Sequence, residues 1–155
     1  MKKQRNKTFS RLSMGRGHER ECKSILASVP DHSPSLSRAY QLTRKASRVG
    51  FDWPNIEGVL NKLDEELVEF KEALGLEDRR KIREEIGDML FVMVNISRFL
   101  GIDPEEALKR TLKKFVSRFH YIETSLKKAG KPFRDSNLVE MDRVWEESKE
   151  KEKRI

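Results

Sequence analysis

The chain has 155 residues, enough for one domain that buries about two thirds of its unfolded surface. Charged residues make up 38% of it and apolar residues 36%, a balance that points to helices with one buried face and one wet face. The single cysteine, Cys22, excludes an internal disulfide and a zinc site built from cysteines.

The formal net charge of +7 is unevenly placed. Residues 1–33 carry eight Lys or Arg against Glu19, Glu21 and Asp31, so the rest of the chain is close to neutral. Gly15, Gly17, Pro30 and Pro34 break up this basic, Ser-rich stretch. It reads as a flexible N-terminal arm, residues 1–33, ahead of a helical domain, residues 34–155. Such an arm touches RNA or another anionic surface, or is a plain solvated terminus; the sequence leaves both open. No apolar signal-peptide core is seen. The longest apolar run, Met89–Ile96, is interrupted by Asn95 and falls short of the roughly 18 residues of a membrane span. With one free thiol, this fits a cytoplasmic protein.

From Ser35 the pattern turns helical. Leu36, Ala39, Tyr40 and Leu42 give a short amphipathic segment ending before Gly50. Pro54 suits the first turn of a second helix, whose Ile56, Val59, Leu60, Leu63, Leu67 and Phe70 repeat at three and four residues up to Gly75. A third helix is expected from about Glu77 to Leu100. Its second half is apolar nearly all round, as for a central buried helix. Asp103-Pro104-Glu105-Glu106 is a helix start, and Leu108, Leu112, Phe115, Phe119, Ile122 and Leu126 form a packing seam on the fourth helix. Asp135 or Ser136 is expected to cap a last helix carrying Met141, Val144 and Trp145. No strand is expected. The fold class is all-α, most simply a four-helix bundle with flanking helices.

Acidic residues stand out on the second and third helices. Glu66 borders the apolar stripe of the second, while Glu65 and Glu69 can face water. On the third, Glu85 and Asp88 fall within the apolar arc, one turn apart. An ionised carboxylate buried among apolar groups costs several kcal/mol unless it is paired or bound to metal, and two such groups repel each other. Either Lys/Arg partners or a divalent cation must compensate. Carboxylates without His or Cys suit hard ions, Mg²⁺ or Mn²⁺. Lys62 and Lys81 each lie four residues before an acid, Glu66 and Glu85, which fits helix-surface ion pairs. Lys114 and Arg118, one turn apart on the fourth helix, can clamp phosphate oxygens beside an acidic site; taken without it they read as solvated helix surface.

The run RVGFDWPN…KLDEELVEF…EEIGDMLFVMVNISRFLGIDPEEALKRTLKKFVSRFHYIE resembles the MazG nucleoside triphosphate pyrophosphohydrolases, and more closely the second of the two tandem domains of longer members. The family pattern E-E-x-x-E, a spacer, then E-x-x-D is met by Glu65, Glu66, Glu69, Glu85 and Asp88. The likeness spans about Ser33 to Lys149. It implies a helical homodimer that hydrolyses an NTP or dNTP to the monophosphate and pyrophosphate with Mg²⁺, as in nucleotide-pool house-cleaning. By position it implies Glu66, Glu69, Glu85 and Asp88 as metal ligands and Glu65 as the residue acting on the attacking water. Lys62, Lys81, Lys114, Arg118 and Trp145 would bind the nucleotide. The family's Asn-x-Lys-Phe-x-Arg-Arg-Phe block appears as Leu112 to Phe119 without its Asn and its first Arg. That departure, with the basic arm standing where longer members carry their first domain, keeps an alternative open. In it, the chain is a non-catalytic helical dimer that binds through its arm.

Overall fold

The computed structural model describes residues 24–153, so the first 23 residues of the basic arm lie outside the described residues. Among the described residues there are five α-helices and no strand: α1 (Ser35–Ser47), α2 (Ile56–Gly75), α3 (Arg79–Phe99), α4 (Pro104–Lys128) and α5 (Leu138–Glu152). A short 3-10 turn, Ile25–Ser28, precedes α1 and leads into Val29, which is buried. The all-α fold class expected from the periodicity is the one observed.

Caps set the helix boundaries. Asn55 accepts the N–H of Gly58 at 3.0 Å, so α2 starts at Ile56 and Pro54 stays in the connector instead of entering the first turn. A Cβ at Gly58 would stand 3.1 Å from Cδ1 of Trp53, so any larger residue there would have to push the indole aside by a few tenths of an ångström. Asp78 accepts the N–H groups of Arg80 and Lys81, both at 3.1 Å, and so starts α3 at Arg79, later than Glu77. The turn between α2 and α3 reverses at Glu77, which has φ 54, so Gly75 ends the helix without being its left-handed residue. Asp103 caps α4 with Pro104 in the first turn, as the sequence suggests. Asn137 caps α5 through the N–H of Glu140; Asp135 ends a 3-10 turn and Ser136 instead bonds the Glu140 side chain.

Helices α2 and α3 form the most extensive pair. Helix α1 packs on α3 and more lightly on α4, while α4 pairs with α5 and meets α3 only narrowly. Val59 and Ala73 of α2 and Val92 and Val94 of α3 are buried. A separate small core joins Ile122 and Leu126 of α4 to Val144 of α5, flanked by Tyr121, Met141 and Trp145.

Two expectations need correction. The second half of α3 is not a buried central rod, since Leu90 and Met93 remain 54% and 48% exposed. One chain covers α3 mainly with α1 and α2, which leaves its remaining apolar side open. The seam of α4 divides likewise: Ile122 and Leu126 are buried by α5, but Leu108, Leu112, Phe115 and Phe119 stay exposed. No helix among the described residues is long and apolar enough to cross a membrane.

Candidate metal and nucleotide site

The α2–α3 pair brings three carboxylates together. One oxygen from each of Glu66, Glu85 and Asp88 lies within 4.8 Å of the others. Glu66 and Glu85 are buried and Asp88 is exposed. The burial expected for Asp88 is therefore corrected. Glu85 faces α2, whereas Asp88, three residues on, is rotated about 60° away from it around the helix and is exposed.

The cause of the strain at Glu85 is plain. Burial pushes its carboxyl above the usual carboxylate range. The charges of Glu69, Glu66 and Asp88 act in the same direction, as does a hydrogen bond with Glu66. Every charged neighbour that acts on Glu85 is thus an acid. Lys81, four residues earlier and exposed, does not neutralise it. Glu69 itself is exposed and outside the triad of converging oxygens, though close enough to act on Glu85.

Lys62 does form the helix-surface pairs its spacing allows. Its ammonium bonds Glu65 and Glu66, each at 2.7 Å, and the two carboxylates hold the amine well above its ordinary value. Glu65 is half exposed and borders the cluster through this shared lysine. An all-oxygen donor set of two buried carboxylates and one exposed one, with no cation on Glu85, fits a hard divalent ion. The cluster is a candidate divalent-cation site.

The remaining predicted nucleotide contacts sit elsewhere. Arg118 of α4 donates to Oε2 of Glu152 on α5, from Nη2 at 2.7 Å and from Nε at 3.1 Å. Its guanidinium lies 5.5 Å from the Trp145 ring centre. Trp145 in turn is wedged against Phe115 with centroids 5.6 Å apart. Lys114 lies one turn before Arg118, where its charge reaches Glu152. Helix α2 has no extensive packing with α4 or α5, so one chain does not lay this basic set broadly against the acidic one.

Sequence reasoning missed a polar clamp on α3. Arg98 donates to both carboxylate oxygens of Asp52, at 2.8 and 2.5 Å, and to Oδ1 of Asn95 at 3.1 Å. The guanidinium holds the Asp52 carboxyl below the usual range. Asn95 is buried, and its Nδ2 donates to the Phe91 carbonyl at 3.1 Å. Asn95 and Arg98 floor an apolar cavity of about 270 Å³ between α1, the connector and α3, walled by Leu42, Phe51, Trp53 and Phe91. The available signal was two polar residues, Asn95 and Arg98, in the chain's most apolar stretch.

Comparison with known proteins agrees with the geometry. Residues 55–122, from the cap of α2 to the last third of α4, match the model of the MazG nucleotide pyrophosphohydrolase domain. The chain is 46% identical over 116 residues to a nucleoside triphosphate pyrophosphohydrolase/pyrophosphatase MazG of Thermotoga maritima, covering 75% of this chain and 44% of that protein. It is 34% identical over 131 residues to a nucleoside triphosphate pyrophosphohydrolase of Escherichia coli, covering 83% and 50%. An uncharacterized protein of Bacillus subtilis, YabN, shares 48% over 73 residues, 15% of its own length. The chain thus spans half or less of the length of these relatives. The acidic triad lies inside the matched MazG nucleotide pyrophosphohydrolase domain, and the domain match with these identities supports a MazG-family protein.

Proposed function

We propose that the protein hydrolyses a nucleoside or deoxynucleoside triphosphate to the monophosphate and pyrophosphate with Mg²⁺, which Mn²⁺ can replace. The observation that carries this is the convergence of Glu66, Glu85 and Asp88 with only acids acting on Glu85. These three, with Glu69 at their edge, would hold the cation. When bound, it lowers the pKa of water and screens phosphate charge.

The chain's own residues supply the rest. Glu65, beside the cluster and oriented by Lys62, takes the proton from the attacking water. Lys62 and Lys81 stand at the acidic hairpin to meet phosphate oxygens. Lys114 and Arg118 supply further positive charge for the polyphosphate. Trp145 backs the Arg118 guanidinium, and the apolar cavity beside Trp53 has the aromatic lining and size for a nucleobase. It lies two helical turns along α3 from Asp88, roughly 10 Å.

Two copies of the chain complete this arrangement. Ile86, Leu90 and Met93 of α3 and Leu112, Phe115 and Phe119 of α4 are exposed in one copy. Apposing them in a homodimer buries apolar surface and supplies α4 from one subunit to the acidic hairpin of the other. Nucleic acid enters this reading only through the basic arm, and the setting is cytoplasmic.

The test is a panel of NTPs and dNTPs with Mg²⁺, scoring pyrophosphate against orthophosphate. Pyrophosphate with the monophosphate is expected. Orthophosphate as sole product, or no turnover of any member, overturns the reading.

A further inference from the structure

We propose that Glu152 is a resident counter-anion of Arg118 that a nucleotide phosphate displaces, so that the last turn of α5 masks the basic half of the site until substrate arrives. This rests on the nucleotide-binding role given to Lys114 and Arg118 above. Both cations already act on one carboxylate. Arg118 reaches Oε2 of Glu152 through two nitrogens, at 2.7 and 3.1 Å, and Lys114 adds its charge from one turn away. A carboxylate oxygen fixed by the guanidinium fork presents the same acceptor as a phosphate oxygen, so the two compete for the same donors.

The position of Glu152 supports a displaceable role. It is the final residue of α5, where the carbonyl ends of the helix disfavour an acid. Its own helix gives it no help, and Arg118 and Lys114 hold its carboxyl below the usual range. The Arg118 side chain is 19% exposed and the Glu152 side chain 37%. The carboxylate is thus the wetter partner and leaves into solvent, while the guanidinium remains braced beside Trp145. Terminal helical turns open at little cost. Because the pair is partly exposed and screened by solvent, its removal changes affinity by a modest factor, about two- to fivefold.

The test is calorimetric binding of α,β-methylene-ATP with Mg²⁺ to the full chain, for wild type, Glu152→Gln, Glu152→Asp, Arg118→Gln and the Arg118→Gln/Glu152→Gln double variant. Melting midpoints are recorded alongside to show that each is folded. Glu152→Gln is expected to bind about two- to fivefold more tightly, and Glu152→Asp, which keeps the charge, to bind as wild type. Arg118→Gln is expected to bind about tenfold more weakly, and the double variant to match it, because the mask has nothing left to cover. If Arg118→Gln weakens binding while Glu152→Gln leaves it unchanged or weakens it, masking is overturned and the nucleotide role of Arg118 stands. If Glu152→Asp tightens binding as much as Glu152→Gln, masking by charge is overturned. If Arg118→Gln binds as wild type, the nucleotide role and the mask fall together.

Discussion

Helix pairs α2–α3 and α4–α5 handle charge in opposite ways. In the first, Glu66, Glu69 and Asp88 crowd around the buried Glu85 carboxyl, and the one cation bonded within the cluster, Lys62, is on Glu66 and not on Glu85. In the second, the cations have partners: Arg118 with Glu152, Lys131 with Glu140, and Lys151 with the Tyr121 hydroxyl. Charges satisfied within the chain favour the fold itself. Like charges gathered without compensation cost stability and persist where a ligand supplies the missing sign. The contrast separates a pair with more acids than cations at its cluster from a pair whose cations already hold partners within the chain.

The sharpest break in this contrast is Glu85→Gln. It removes the buried charge and is expected to lower turnover more than a hundredfold, while helical content by circular dichroism is retained. Wild-type pyrophosphate release from that variant would show that the acidic pair is not the reactive half. Next is Leu90→Asp, on the uncovered side of α3. Sedimentation should show a halved mass, with most turnover lost and divalent-cation binding kept. Activity in a monomer would mean that α4 is not delivered by a second copy.

The pH dependence tests the acidic pair alone. Glu85 is raised in the folded state, so the metal-free fold binds its proton more tightly than the unfolded chain does. Its contribution to stability is present in full below the ordinary glutamate value. That contribution is lost as pH rises through the raised value. Mn²⁺ should therefore raise the melting midpoint more at the top of that window than at the bottom. Thermal melts across it, with and without the ion, read the difference. The smallest effect is at the turn between α2 and α3. Glu77 has φ 54, a left-handed conformation that costs a non-glycine residue about 1 kcal/mol. Glu77→Gly is expected to stabilise the chain by up to about that amount in urea titrations, with pyrophosphate release unchanged.

Much of the fold was legible because helix periodicity and caps are local. Asp103-Pro104 marked the start of α4, and Leu63, Leu67 and Phe70 marked the course of α2. The caps of α2 and α5 were misplaced because Pro54, Asp135 and Ser136 are good starting residues that the chain uses in connectors. At the site, Glu85 was legible as an acid among apolar neighbours. Asp88 was read as buried because one helix wheel cannot say which apolar neighbours a single chain covers. The Arg98–Asp52 clamp joins residues 46 positions apart, beyond any local pattern, and so Asn95 registered only as an interruption. Arg118 was read as a free cation because its partner, Glu152, lies 34 residues away on another helix.

The acidic triad lies on one helical hairpin, between residues 66 and 88, closed by the turn from Leu76 to Asp78. Contacts so near in sequence need little loop closure and form early in folding. The hairpin must nevertheless draw four acids together before any distant contact rewards it. Under the proposed reading, a divalent ion bound by the hairpin would act on that closing step, and Mn²⁺ is expected to speed refolding as well as slow unfolding in stopped-flow traces.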